Sequence, residues 1–201
     1  DVTSQITGVV PTANLGSGTA NATTFLRGDQ SYAAAGGGKV LQVTQGVYQA
    51  AETVSSNSDT FAAFSLSGTI TPSATSSKVL ITATLQLSQS SNYRSFCKMM
   101  FDVGGGGYND LPADSLPTTP GSRVPCHFYF NFPASHNGSG ANVGFSYLHD
   151  PSTTSALTYK WYACTESTGG SVYMNRSETD TDNNSYGRSA SRIILTELDY
   201  A

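Results

Sequence analysis

The sequence has little charge, no long apolar run and no excess of basic residues. Charged residues make up 12% of the 201 residues, about half the usual share. The formal net charge of −4 is the opposite of the basic footprint that a nucleic-acid binder needs, so no nucleic-acid partner is expected. No apolar stretch approaches the roughly 18 residues that cross a bilayer, and insertion into a membrane is not expected either.

Motifs of catalysis are also missing. The three histidines, His127, His136 and His149, lie far apart, and no nucleophile elbow, zinc-protease, P-loop or dinucleotide motif occurs. Glycoside cleavage needs a pair of carboxylates, and the acidic residues available for one are Asp102, Asp110, Asp114, Glu178, Asp180 and Asp182. Scattered acidic side chains are more often simply solvated. The sequence therefore predicts no enzymatic activity and no cofactor.

Neither the cysteines nor the acidic run predicts a metal site. Cys97, Cys126 and Cys164 are widely spaced and form no zinc pattern. Each lies in a strand-like run, which favours buried free thiols, although a disulfide between two of them stays open. Residues 177–184 alternate carboxylate and amide oxygens but lack the Gly and the terminal Glu of an EF-hand loop. A plain polar hairpin is the preferred interpretation of that run over a cation site.

What the sequence does contain is alternation of apolar and polar side chains with a period of two. In residues 78–90 the odd positions from 79 to 87 are apolar and the even positions mainly polar, which is typical of a sheet with one buried face. Residues 92–103 and 123–132 repeat the pattern, with Asp102 on the polar face of one and His127, Tyr129 and Asn131 on that of the other. Shorter strands are expected at 39–49, 59–67, 141–149, 156–166, 170–176 and 190–200.

These runs predict the fold class. About nine strands without a sustained helical period indicate an all-β protein, an antiparallel β-sandwich of the jelly-roll type with little helix. The first 38 residues differ, because they are rich in Gly, Ala, Ser and Thr and poor in large apolar side chains. We therefore divide the chain into an extended segment, 1–38, and a sandwich head, 39–201. The segment is expected to be disordered or to pack only against copies of itself.

A specific likeness lies in the extended segment. Residues 6–32, ITGVVPTANLGSGTANATTFLRGDQSY, resemble a stretch that recurs in tail fibres of tailed bacteriophages just before the carboxy-terminal head. The runs 39–46, 69–81 and 192–201 are similar to the terminal domains of such fibres, especially in phages of marine and cyanobacterial hosts. The likeness is thin between about 92 and 145.

The resemblance implies a tail-fibre tip located in the virion. Residues 1–38 would end a stalk, and the head would bind a bacterial surface glycan or outer-membrane protein. It also implies a homotrimer, which composition merely allows, since Leu15, Phe25 and Leu26 would be buried between three chains. Because residue 1 is Asp rather than Met, the chain is expected to be a fragment of something longer, and the resemblance implies other virion tail proteins upstream of residue 1. A trimerisation module without receptor contact and a glycan-cleaving tip stay open as alternatives.

The tripeptide Arg27-Gly28-Asp29 also occurs in ligands of animal adhesion receptors. Its place inside the longer fibre-like stretch makes a local turn the preferred interpretation. Gly28 is then expected to supply the tight turn, and Arg27 and Asp29 to pair with each other within or between chains.

Recognition is expected in the polar loops 104–121, 133–141 and 175–189, because loops tolerate variation that the scaffold does not. Tyrosines beside Asn and Asp have the chemistry that stacks on sugar rings and hydrogen-bonds their hydroxyls. Trp161 lies in a strand-like run and is expected in the core or a trimer interface instead. The candidate receptor-binding residues are Tyr108, Asn109, Asp110, His136, Asn137, Asn183, Asn184 and Tyr186.

Overall fold

The chain separates into two compact units, Asp1–Gly38 and Lys39–Ala201. The computed structural model describes residues 16–18, 24–34, 39–55, 60–90, 92–118, 121–133 and 138–200. Within these ranges the only helical element is a short 3-10 turn, Ala113–Ser115. In the same ranges, no helix has the length and apolar character that crossing a membrane requires.

The described part of the first unit is a small β-hairpin. β1 (Thr24–Leu26) pairs antiparallel with β2 (Tyr32–Ala34). Beside β2, the Ser17 N–H donates to Gln30 O at 2.8 Å, and the Tyr32 N–H donates to Ser17 O at 2.7 Å. The sequence analysis did not predict this hairpin.

The tripeptide forms the turn of that hairpin, but not with the expected contacts. The Arg27 N–H donates to Ser31 O at 2.8 Å. The Asp29 carboxylate accepts hydrogen bonds from the hydroxyl and the N–H of Ser31, which lower the pKa of Asp29. Within the chain Asp29 therefore binds Ser31 rather than Arg27. The left-handed residue of the turn is Gln30, with φ 61°, and not Gly28.

The second unit is a β-sandwich of two antiparallel sheets. Its strands are β3 (Val40–Tyr48), β4 (Glu52–Ser55), β5 (Ala62–Ile70), β6 (Lys78–Gln89), β7 (Ser95–Val103), β8 (Tyr108–Asp110), β9 (Phe128–Phe130), β10 (Ala141–His149), β11 (Leu157–Thr165), β12 (Ser171–Met174) and β13 (Ser191–Leu198). One sheet has the order β3-β13-β6-β12-β4, and β10 also pairs with β6. The other has the order β5-β11-β7-β8, and β9 also pairs with β7. The predicted all-β antiparallel sandwich is confirmed.

Alternate residues of the strands form one apolar core between the sheets. On β6 the residues at positions 79, 81, 83, 85 and 87 are all buried, as the alternation predicts. Trp161 of β11 is fully buried, in accord with its expected place in the core, and its ring stacks on Phe128 with centroids 5.2 Å apart. Cys97, Cys126 and Cys164 are free thiols, as predicted, but only Cys97 and Cys164 are buried, whereas Cys126 is partly exposed.

The predicted strand 123–132 is shortened to β9, and one of its polar positions points inward. Pro125 has no N–H to donate to a ladder, so regular pairing begins after it. The His127 ring, expected on the polar face, packs edge-on against Phe145 and Trp161, and its Nδ1 accepts the Met99 N–H at 3.0 Å. Burial lowers the pKa of His127 to about 4.

Asp102 is also buried, contrary to its expected place on an exposed face of β7. Its carboxylate accepts hydrogen bonds from the N–H groups of Gly105 and Gly107. This contact fixes the turn after β7 and returns the chain as β8, a strand that the Gly-rich run 104–121 did not predict. Leu111, next to β8, is buried in the core, so this region is not wholly the exposed excursion that its composition indicated. β4 was not predicted either.

Strand pairing defines the two ends of the sandwich. Leu198 pairs with both Val40 and Lys78, so the chain enters the second unit where β6 begins, at what is termed the Lys39 end. At the opposite end β6 finishes, and Ser95 pairs with Thr165 and Phe130. This second end is termed the cleft end.

A buried carboxylate holds the Lys39 end together. Glu197 on β13 is fully buried and accepts hydrogen bonds from the N–H and the hydroxyl of Ser73, each at 2.6 Å. The Gln42 side chain on β3 donates to the same carboxylate at 2.6 Å. Burial alone would raise the pKa of Glu197, but these hydrogen bonds, with one from Ser77, outweigh it and lower the pKa to about 2. The carboxylate thus joins β3 and β13 to the β5–β6 connection.

The two sheets also meet along one side, where β3 faces β5. The Thr44 hydroxyl donates to Thr69 O at 2.9 Å, and the Gln42 side chain donates to Thr71 O at 2.6 Å. A Cβ at Gly46 would lie 1.9 Å from Ser67 O, so glycine is required for this approach.

Candidate functional site

Two adjoining clefts open at the cleft end. The first has a volume of about 590 Å³ and the second about 360 Å³. Phe96, Cys126 and Tyr129 line the first, Asn92 and Asn131 line the second, and Arg94 and Glu166 line both. Both volumes lie in the range of small-ligand sites, roughly 300–1,000 Å³. The two together are termed the double cleft.

The aromatic wall of the double cleft follows from strand register. Cys97 pairs with Phe128, and both face the core. Their neighbours Phe96 and Tyr129 pair with each other and point to the opposite, outer face. Their ring centroids are 5.7 Å apart with planes tilted by 36°. Tyr129 is 57% exposed, so its ring is accessible from the first cleft.

An ion pair separates the two clefts. Arg94 precedes β7 and Glu166 follows β11, and the Glu166 N–H donates to Arg94 O at 3.0 Å. The side chains of the same two residues also bind each other: the Arg94 guanidinium donates to the Glu166 carboxylate, which raises the pKa of Arg94. The side chains are 55% and 30% exposed, so both retain free hydrogen-bonding positions toward solvent. A hydroxylated ligand can therefore accept from the guanidinium and donate to the carboxylate at once.

The candidate residues on β8 lie away from the double cleft. β8 pairs with the part of β7 near its carboxyl end, and the Gly104 N–H donates to Ala156 O, so this strand is nearer the Lys39 end. Asp110 forms an ion pair with Lys98 at 2.6 Å. Tyr108 packs against Tyr162 with ring centroids 5.5 Å apart. Asn109 donates from its side chain to the carbonyl of Gly107. Each of the three side chains thus has a structural contact.

A second candidate group lies in the β12–β13 connection. Asn183 and Tyr186 line a hollow of about 370 Å³ with Asp180 and Arg188. A Cβ at Gly138 would lie 2.9 Å from the Tyr186 ring, so the loop after β9 touches this connection. Asn184 lies in the turn between Asn183 and Tyr186. His136 and Asn137 fall outside the described residues.

The carboxylates in these loops are engaged in structural contacts. Arg188 donates to Asp180 and lowers the pKa of Asp180, and Arg176 lies 3.7 Å from the same carboxylate. Asp114 accepts the Tyr147 hydroxyl at 2.7 Å. Across the described ranges no group of three or more His, Cys, Asp or Glu side chains is placed to hold a metal ion. Residues 177–184 are a polar connection in which Asp180 pairs with Arg176 and Arg188.

The sequence analysis missed the double cleft, although part of its signal was visible. Tyr129 and Asn131 were correctly expected on the polar face of their run, and both line the double cleft. The Arg94–Glu166 pair had no such signal, because its members are 72 residues apart. Only the pairing of β7 with β11 brings them together.

Comparison with known proteins adds no family to this description. No protein-family model matches the chain, and no curated protein sequence matches it significantly. The double cleft is therefore the structural feature from which a function can be inferred.

Proposed function

We propose that this protein is the receptor-binding tip of a bacteriophage tail fibre and attaches the virion noncovalently to the bacterial surface. The main support is the double cleft, where an exposed tyrosine, Tyr129, lies beside the Arg94–Glu166 pair. The site is at the end of the sandwich opposite Lys39. A cell-surface molecule can approach it without meeting the point where the chain enters the head.

The proposed assembly is a homotrimer. β3 exposes several large apolar side chains, Val40, Leu41, Val43 and Val47. Three of them, at positions 41, 43 and 47, share one face of the strand. An exposed row of apolar side chains of this kind is typical of a protein–protein contact. The number three comes from the resemblance to fibres. Three identical sites on one tip bind a dense surface far more tightly than one site does.

This function is tested by adsorption. The cells are those of the bacterial strain on which the bacteriophage that carries this fibre grows. We expect the purified protein to sediment as a trimer, to bind those cells and to compete with the virus for adsorption. A protein that leaves virus adsorption unchanged at saturating concentration would be a structural fibre module instead. A tip that releases oligosaccharides from the polysaccharide of that strain would be an enzyme, and we expect no release.

A double variant tests whether the receptor binds at the loop residues predicted from the sequence or at the double cleft. The double substitution Tyr108→Ala and Tyr186→Ala removes the two aromatic residues chosen from the loops. We expect that variant to keep most of its cell binding, because Tyr108 packs against Tyr162 and Tyr186 contacts the loop of Gly138. Loss of binding with an intact trimer would return the receptor site to those loops.

A further inference from the structure

We propose that the double cleft binds a glycan across two subsites, with the Arg94–Glu166 pair between them. This inference rests on the proposed function and names the site and the ligand class within it. The first cleft would hold one sugar ring against Tyr129 and Phe96, and the second would hold the next ring beside Asn92 and Asn131. The minimum ligand is therefore a segment of two linked sugars.

The first subsite has the surface that a sugar ring needs. One face of a pyranose presents C–H groups and is apolar, whereas its rim presents hydroxyls. Tyr129 offers an exposed aromatic face for the apolar side, and tilted Phe96 forms an adjacent wall. Aromatic rings give this contact area at a low cost in side-chain entropy. The Tyr129 hydroxyl adds a polar group at the edge.

The Arg94–Glu166 pair complements the hydroxyl groups at the rim of a sugar ring. A guanidinium only donates hydrogen bonds, and a carboxylate only accepts them. Vicinal sugar hydroxyls do both, so one diol can bind Arg94 and Glu166 together. The backbone bond from Glu166 N–H to Arg94 O holds the two residues side by side before the ligand arrives. Little further ordering is then required on binding.

The second subsite is polar and smaller. Asn92 adopts a left-handed φ of 68°, which asparagine tolerates better than most residues, and displays its amide from the tight turn before β7. Asn131 follows β9 and lines the same cleft. Amide groups both donate and accept, as sugar hydroxyls do. Because Arg94 and Glu166 line both clefts, one continuous ligand is expected to fill them.

A glycan suits this site better than a protein surface does. A protein partner typically covers about 800 Å² with a broad and mostly flat contact. The double cleft is instead a pair of hollows with few polar groups at fixed positions, which is the form of a small-ligand site. Binding to a protein receptor is the competing outcome in the experiment.

The test uses the full chain and the strain on which the virus grows. Binding of fluorescently labelled protein is measured on untreated cells, on cells oxidised with periodate to destroy sugar diols, and on cells treated with protease. Polysaccharide isolated from the same strain is the soluble competitor. We expect periodate and the polysaccharide to abolish binding and protease to leave it unchanged.

Two variants in the double cleft and one control variant elsewhere then test whether the glycan binds in the double cleft. Tyr129→Ala and Arg94→Gln should each weaken binding to the isolated polysaccharide by about tenfold per site, with a larger loss on cells. Tyr200→Ala is the control, because Tyr200 is 53% exposed, close to the 57% of Tyr129, but lies at the Lys39 end. We expect it to bind as the unaltered protein does. Equal thermal unfolding midpoints verify that the three variants are folded.

The outcomes separate the inference from the proposed function. Periodate-sensitive binding that survives Tyr129→Ala and Arg94→Gln would overturn the site and leave the function standing. Binding that is lost with protease and kept after periodate would overturn the ligand class alone. A chain that binds neither the cells nor the polysaccharide would overturn both proposals.

Discussion

The two ends of the sandwich use the same kinds of side chain for different purposes. At the Lys39 end, the carboxylates of Glu197 and Asp102 are buried and accept hydrogen bonds from nearby backbone N–H groups. At the cleft end, Glu166 and Arg94 are partly exposed and pair with each other. A buried carboxylate whose bonds are satisfied stabilises the fold, whereas an exposed pair contributes little stability and keeps free positions for a ligand. Burial, not residue type, distinguishes Glu197 and Asp102 from the Arg94–Glu166 pair.

Removing the Glu197 carboxylate should cause the largest loss of stability. Glu197→Ala leaves the hydrogen-bond donors of Ser73 and Gln42 without their acceptor, and we expect a decrease of about 3 kcal/mol in the free energy of unfolding. Urea unfolding followed by tryptophan fluorescence measures it. Glu166→Ala is the matched change at the cleft end, and a similar loss there would remove the contrast.

Acid should lower the free energy of unfolding in two steps, one from His127 and a second, at lower pH, from Glu197 at the Lys39 end. Glu197 has its pKa lowered from 4.5 to about 2, so its contribution is complete above pH 4.5 and is lost as the pH falls toward 2. Burial lowers the pKa of His127 from 6.5 to about 4, so its contribution is complete above pH 6.5 and is lost as the pH falls through 4. Unfolding measured between pH 7 and 2 should show both losses.

The variant Glu197→Gln identifies the lower step. It keeps the shape of the side chain and removes the titrating group, so the loss below pH 4.5 should shrink while the loss above pH 4 remains. An unchanged profile below pH 4.5 would show that other carboxyl groups cause the acid step.

The turn after β7 should give an intermediate effect. Asp102→Ala removes the acceptor of the Gly105 and Gly107 N–H groups, and we expect a loss of about 1–2 kcal/mol in the free energy of unfolding. Asp102→Asn keeps one acceptor oxygen and should lose less. Cell binding by the folded protein should be unaffected, since this turn is at the Lys39 end. If Asp102→Ala impairs binding, the turn belongs to the receptor surface.

Breaking the Arg94–Glu166 pair should have the smallest effect on stability. We expect Arg94→Gln to leave the urea and thermal unfolding midpoints nearly unchanged, because exposed ion pairs are weak. A thermal or urea midpoint close to that of the unaltered protein would support the contrast between the ends. A loss as large as that of Glu197→Ala would make the pair a structural element.

The sequence predicted strands where a local pattern specified them. β6 and β10 follow from alternation, and β10 begins and ends at the expected residues. β8 was missed because glycine and proline surround it, and its place depends on the Asp102 turn, the buried Leu111 and pairing with β7. The double cleft was missed because its residues come from β7, β9 and the segments next to β7, β9 and β11, which are distant in sequence. Loop composition favoured Tyr108 and Asp110, whose actual contacts depend on the pairing of β8 with β7.

The close approach of β3 and β5 has a consequence for how copies of the protein meet. Terminal strands of open sheets expose unpaired backbone groups and invite further strands, which leads to aggregation. Here Gly46 brings the terminal strands β3 and β5 together, and side chains of β3 donate to the carbonyl of Thr69 on β5 and to that of Thr71, just after it. An added strand cannot dock on that side without displacing them. Copies that associate through β3 must therefore do so by its outward apolar face and not by adding a strand at that side.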